Sequence, residues 1–236
     1  MAKVKHKKKG EKGSDILENP EVLAERLSRT EQFLEKNKMI VISVIGVLAI
    51  VVSAIFLFRY YVSNQNNQAQ VDMFQAVYYF ESDSIQKALH GDGNNYGFLE
   101  IIDNYGITET ANLAQYYAGA SYMKLGEYQE AIDHLTKFSS DDLVVKARAL
   151  ALIGDAHMEL GEYSEAAEYY EEAANYKPNQ FLSPLYLTKA ATAYEKLMDY
   201  ETAAERYGTI IEEFPQSSEY NNARKHKARL EKLASN

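Results

Sequence analysis

Three stretches of this chain keep one cadence: KLGEYQEAIDHL at 124–135, ELGEYSEAAEYY at 159–170 and KLMDYETAAERY at 196–207. Aligning them brings Gly119, Gly154 and Ala191 together, then Tyr122, His157 and Tyr194. Gly126, Gly161 and Met198 follow, then Tyr128, Tyr163 and Tyr200. Ala131, Ala166 and Ala203 come next, and finally Leu135, Tyr170 and Tyr207. The copies are offset by 35 and then 37 residues, and Pro178 and Pro215 close the second and third. A period of this size marks one supersecondary unit that cannot bury its apolar face alone and so must stack. The residue types say which unit. A small residue lets two antiparallel helices approach closely, and the aromatic three positions later fills the gap beside it. Gly ahead of Glu-Tyr makes the tight turn, and Ala in the second helix admits bulk from the first. With 12 Gly and only 4 Pro among many helix formers, the pattern predicts an all-α chain.

The pattern G-x-x-Y-x-x-x-G-x-Y-x-x-A resembles the tetratricopeptide repeat over 111–217, with a departure at Met198 where Gly is usual. The resemblance implies an α-solenoid with repeats at about 112–143, 147–178 and 184–215. Upstream, VDMFQAVYYF has helical character and HGDGNNYG is a loop. GFLEIIDNYG resembles the second helix of a worn repeat covering about 65–106 and ending at Gly106. Downstream, 217–235 resembles the solvating helix that caps such arrays. Its basic run of Arg224, Lys225, His226, Lys227, Arg229 and Lys232 is either a polar outer face or a surface for anionic partners.

Ahead of the repeats, residues 39–58 read MIVISVIGVLAIVVSAIFLF, twenty residues without a charge. A helix of that length covers about 30 Å, the thickness of a bilayer hydrocarbon core. Lys36 and Lys38 flank one end, and Arg59, Tyr60 and Tyr61 the other, where aromatic rings favour the interface. Residues 1–38 carry 10 Lys+Arg against 7 Asp+Glu, and 59–236 carry 15 against 27. The positive-inside bias leaves the N-terminus in the cytoplasm and sends the repeats across. Val52-Ser53-Ala54 has the small residues of a signal-peptidase site, but the apolar run continues through Phe58, so the span reads as an uncleaved signal anchor. Ser43, Gly46, Ala49 and Ser53 share one arc of it, either a docking face or ordinary lipid-facing surface. The preceding segment, 19–38, reads as a helix capped at Asn19 with Pro20 in its first turn. Leu23, Leu27, Thr30 and Leu34 form a narrow stripe on it, suited to a solvated helix leading into the span or, alternatively, to the membrane surface or a partner. The organisation is therefore 1–38 as a cytoplasmic basic tail, 39–58 as a transmembrane signal anchor and 59–236 as a repeat domain outside.

Residue patterns that carry chemistry are sparse. His6, His90, His134, His157 and His226 are scattered, with no H-E-x-x-H arrangement. His157 stands where the other copies have Tyr, so it reads as a packed histidine. No P-loop, dinucleotide-binding glycine fingerprint or G-x-S-x-G appears. There is no cysteine, hence no thiol nucleophile, Cys-ligated zinc or lipid-bearing lipobox. The carboxylate pairs Glu171-Glu172 and Asp141-Asp142 read as helix-surface and helix-start residues. An acidic folded region repels phosphate backbones, which argues against nucleic acid. No enzyme, cofactor or metal is expected.

Binding is the better expectation. The resemblance implies that the first helix of each repeat lines a groove for extended or helical peptides. Its usual groove positions fall here on Leu113, Tyr116, Ala120 and Met123 in the first clear repeat, and on Arg148, Ala151, Asp155 and Met158 in the second. In the third they fall on Leu185, Thr188, Thr192 and Glu195. Repeats that clamp the acidic C-termini of cytosolic chaperones use Lys and Asn at such positions, and that clamp is missing. The layout of basic tail, anchor and acidic repeat domain resembles the YfgM-like ancillary subunits of the bacterial Sec translocon. FLEKN at 33–37, the membrane helix and the region 98–135 carry that resemblance. It implies an inner-membrane protein with a periplasmic scaffold that meets translocon subunits, a periplasmic chaperone or emerging chains. A general envelope-assembly scaffold is the alternative, and a hidden hydrolase the third reading.

Overall fold

The computed structural model describes Pro20–Ala234, with side chains from Ser28 to Leu233. The basic tail 1–19, the Asn19 cap and the side chains of Leu23 and Leu27 lie outside the described residues. Two compact units emerge, Met1–Tyr60 and Tyr61–Asn236. Every regular element among the described residues is a helix.

In the first unit, α1 is Pro20–Lys36, and α2 runs from Lys38 to Glu81, so its first part belongs here. Asn37 joins them: its amide donates to Phe33 O at 3.0 Å, and its side-chain nitrogen donates to the same carbonyl at 2.9 Å. Leu34 and Thr30 of the narrow stripe are exposed. α2 is the one helix among the described residues long and apolar enough to cross a membrane, with its apolar window wholly unburied. Ser43 returns its hydroxyl to Met39 O at 2.8 Å, which satisfies a polar group in an apolar stretch.

The helix that carries the 39–58 span continues without a break to Glu81. Nothing in 59–81 stops it, since the stretch contains neither Pro nor Gly. In the second unit this last part of α2 plays the first helix of the worn repeat. Ala69, Met73 and Ala76 are buried, and polar bonds reinforce the packing. Asn66 Oδ1 accepts from the Thr110 amide and hydroxyl, both at 3.0 Å. The Tyr105 hydroxyl donates to Asp72, which pushes its pKa up to about 12. The Tyr79 hydroxyl donates to Asp92 at 2.7 Å. Asp92 also accepts the amides of Asn94 and Asn95, and these bonds hold its carboxyl well below the usual carboxylate range. They also give the Gly/Asn-rich loop its shape. Around it lie α3 (Ile85–His90) and α4 (Phe98–Tyr105).

The three clear repeats are helical hairpins. α5 (Glu109–Leu125) pairs with α6 (Tyr128–Lys137), α7 (Leu143–Leu160) with α8 (Tyr163–Asn175), and α9 (Leu182–Lys196) with α10 (Tyr200–Glu213). Each hairpin turns the same way. Gly126, Gly161 and Met198 take left-handed φ values of 78°, 79° and 59°. The following amides then reach back to Tyr122 O, His157 O and Tyr194 O at 3.0, 2.9 and 3.0 Å, the six-to-one bond of a Schellman end. Met198 adopts that conformation without glycine's freedom, and its side chain is exposed. The close approach expected at Gly119 and Gly154 is present. A Cβ at Gly119 would lie 2.5 Å from Leu135 Cγ, and one at Gly154 would lie 2.7 Å from Tyr170 Cε1.

One site recurs in all three hairpins with its partners exchanged. Tyr122 of the first helix stacks on His134 of the second, with centroids 5.3 Å apart. In the next copy His157 stacks on Tyr169 at 5.4 Å, so histidine and tyrosine have traded helices. In the third, Arg206 lies 5.8 Å from the centre of the Tyr194 ring. His157 is thus half-buried and stacked, and it also meets Glu162 at 2.7 Å. His134 bonds Gln115 at 2.7 Å, and burial lowers its pKa, with Lys137 adding to the effect. The unfolded chain therefore takes the proton more readily than the fold does. Stability is complete above about pH 6.5 and falls as pH drops below that value toward the depressed folded-state pKa. Melts of the full chain in detergent should show the midpoint dropping with acidity over this window. His134→Gln should flatten that slope.

The cap forms later than expected from 217–235, as α11 (Tyr220–Ala234), with Ala223 and Leu230 buried. Its basic residues are only partly an outer face. Arg229 bonds Glu195, His226 stacks on Tyr207 at 5.0 Å, and Arg224 lies 5.9 Å over the Tyr220 ring.

Candidate functional site

The first helices α5, α7 and α9 pack side by side along the array. Each begins at a fixed point. Thr108 caps α5 by accepting from the Ala111 amide at 3.1 Å, and Asp142 caps α7 by accepting from Val144 and Val145, both at 2.9 Å. In α9 the Asn179 side chain performs this role for Phe181 and Leu182, at 3.0 and 2.9 Å.

Ten of the twelve sequence-derived positions divide into three groups by exposure. Leu113 and Leu185 are each 40% exposed, and Arg148 and Thr192 are also open to solvent. Tyr116, Ala120, Met123, Met158 and Thr188 are half-buried. Tyr116 leans on Phe138 at 5.3 Å, and Met123 packs on the same cluster. Ala151 offers no surface: it is 4% exposed and lies in the core among Leu150, Ala190 and Tyr186. A small residue there is what lets α7 and α9 approach.

The two acidic positions are already engaged by the array. Asp155 receives Lys189 Nζ at 2.6 and 2.8 Å and the Tyr170 hydroxyl at 2.5 Å. Burial first, then the bond to Asp155, holds the Tyr170 hydroxyl far above the ordinary phenol range. Glu195 receives Arg229 from α11, with His226 at 3.7 Å and the Tyr207 hydroxyl at 3.4 Å. Both cations come from 34 residues further along the chain, so each stitches one first helix to the next. Glu171, expected as a surface residue, belongs to a similar buttress. It accepts from Arg206 of α10 at 2.5 Å and from Tyr194 of α9 at 3.0 Å. Such pairs fix the geometry of the stack and leave little charge to recruit a ligand.

The apolar opening lies at the N-terminal end of the array. A hollow of about 410 Å³ opens between the last part of α2 and α5. Met73, Phe74, Val77 and Gln70 wall one side; Glu109, Thr110, Leu113 and Tyr117 wall the other. Of these only Leu113 was among the sequence-derived positions. The α2 side escaped because the worn repeat lacks the Gly-Glu-Tyr turn that aligns the other copies. A signal was present in VDMFQAVYYF, whose apolar residues are too many for a single buried face. The floor is rigid: Tyr117 stacks on Phe98 at 5.2 Å and meets Phe80 edge-on at 5.4 Å.

No three His, Asp or Glu side chains gather to hold a metal ion among the described residues. Two segments, 116–180 and 186–217, match family models described as tetratricopeptide repeat. No curated protein matches the chain, so the finer resemblance to translocon subunits rests on the sequence layout alone. The repeats mark the domain as a scaffold for contacts with other proteins.

Proposed function

We propose that this is a single-pass inner-membrane protein whose repeat domain, on the periplasmic side, holds apolar segments of other polypeptides beside the secretion machinery. Residues 1–38 are its cytoplasmic part, 39–58 the anchor and 59–236 the binding domain. The translocon, a periplasmic chaperone or chains leaving the channel supply the ligand, and the anchor raises the local concentration of a weak one. The observation that carries the reading is the hollow lined by Phe74, Val77, Leu113 and Tyr117, while the acidic groove positions Asp155 and Glu195 are already paired. Large apolar side chains left open beside a rigid floor suit hydrophobic segments, which bind by area and shape. The groove then comprises Leu113, Tyr116, Met123, Met158 and Leu185, with the α2 wall added and Ala151 set aside. The excess of acid over base from 59 onward, 27 against 15, speaks against nucleic acid and favours chains with basic flanks.

A photo-crosslinking residue placed at Leu113 in the full chain, in growing cells, tests this. Adducts with translocon subunits, a periplasmic chaperone or secreted chains are expected, with few from the same residue at Thr209. Leu113→Asp should weaken capture by on the order of tenfold, the worth of one buried leucine. Adducts with cell-wall or outer-membrane assembly proteins would instead establish the general envelope scaffold. No adduct above the Thr209 level would overturn the binding role of the hollow.

A further inference from the structure

The last part of α2 is apolar on two lines. One of them, Ala69, Met73 and Ala76, is buried against the array. The other is exposed: Val71 at 70%, Phe74 at 74% and Tyr78 at 57%. A helix with one face packed needs no second apolar face in water, and singly scattered exposed apolar residues do not fall in line. These do. Their spacing is three and then four residues, and it continues upstream through the exposed Asn67 and Asn64. That is the alternation of a coiled-coil seam, in which apolar residues recur every 3.5 positions. Asn at seam positions fixes register and strand number, because each needs its counterpart across the interface. Counted back in sevens from Phe74, the sequence places Asn67, Tyr60, Ser53 and Gly46 at equivalent positions. Small residues at such places permit close helix approach in a membrane.

We infer that a second copy of this chain covers this face, the two α2 helices pairing parallel along Asn64, Asn67, Val71, Phe74 and Tyr78. Three considerations select a second copy over another partner, the second of them resting on the membrane anchor proposed above. The seam is self-complementary: like residues meet like across a parallel two-fold pair, and no charged residue interrupts it. Two copies anchored with the same orientation present α2 in parallel and at high effective concentration. The exposed parts of Phe74, Tyr78 and Val71, together with Asn64 and Asn67, offer on the order of 1,000 Å² over two copies, the lower bound for a specific interface. Phe74 also forms the lip of the hollow, so the partner's helix lies beside the entrance for ligands. Leu113 stands off the seam, which keeps this inference separable from the binding role.

The absence of cysteine from the sequence permits a clean test in the full chain. Single variants Asn64→Cys, Asn67→Cys, Val71→Cys, Phe74→Cys and Tyr78→Cys are oxidised in native membranes. Ser164→Cys and Ala228→Cys, on exposed faces of α8 and α11, are the controls. Disulfide-linked dimers between differently tagged copies should exceed the controls by on the order of tenfold at the five seam positions. In detergent, the double variant Val71→Glu/Phe74→Glu should halve the protein mass per particle, measured by light scattering corrected for bound detergent, while the helical circular dichroism stays unchanged. Equal linkage at seam and control positions, no linkage at the seam, or adducts there with a different protein would overturn the pairing. So would a dimer that the double glutamate variant leaves intact.

Discussion

Phe98→Ala should lower the melting midpoint of the repeat domain by roughly 10 °C, the consequence of about 3–5 kcal/mol lost on truncating a buried aromatic in a domain of this size. Phe98 is fully buried, stacked at 15° on Tyr117 and set edge-on to Phe80 with centroids 6.3 Å apart. Removing it takes away the central ring of a three-ring cluster and leaves a cavity that helices α2 and α5 cannot both move to fill. Arrays of this kind are stabilised mainly by nearest-neighbour contacts, so the damage should stay local. Limited proteolysis should cut first between 81 and 108, while the segment from 143 onward persists. Ligand capture should fall too, because Tyr117 loses the ring that holds it as the floor of the hollow. A uniform loss of protection along the whole domain would show that the array unfolds as one cooperative body.

Ile45→Arg with Val52→Arg should release the protein from the membrane. Each arginine near the centre of a span costs about 2.5–3.5 kcal/mol of insertion free energy, and both residues are exposed on α2, at 60% and 50%. The 39–58 span holds no acidic residue to offset that cost. Alkaline carbonate extraction should move the double variant from pellet to supernatant. The unmodified chain should stay in the pellet and present its repeats to protease added to spheroplasts. A double variant that remains in the pellet would mean that the membrane attachment rests on something other than the 39–58 span.

Much of the fold was legible because the repeat encodes backbone geometry. Gly119 and Gly154 had to be small for helix contact, and Gly126 and Gly161 had to reach a left-handed turn; Met198 follows the same path despite its side chain. The worn repeat was harder to read. Its first helix is continuous with the apolar span, so no cap or breaker marks where one begins, and polar bonds from Asn66, Asp72 and Tyr79 fix its place in the array. Such long-range pairings have no local spacing that a sequence could display. The candidate groove was only half legible for a related reason. Position within a repeat identified Leu113, but it could not show that Asp155 and Glu195 are neutralised by cations 34 residues away. Nor could it show that Ala151 is sealed by its neighbours. Exposure is a property of the stack, whereas the repeat pattern describes one unit of it.

The exchanged ring pairs bear on how such a domain can diversify. Tyr122 with His134, His157 with Tyr169 and Tyr194 with Arg206 fill one volume in three arrangements. A genetic crossover falling between copies, in the loops after α6 or α8, carries each pair intact and preserves the fit. A breakpoint inside a hairpin would join Tyr122 to Tyr169, or His157 to His134, setting two phenols or two imidazoles face to face. The hairpin, with both its helices, is therefore the smallest unit that duplication or shuffling can move without repair.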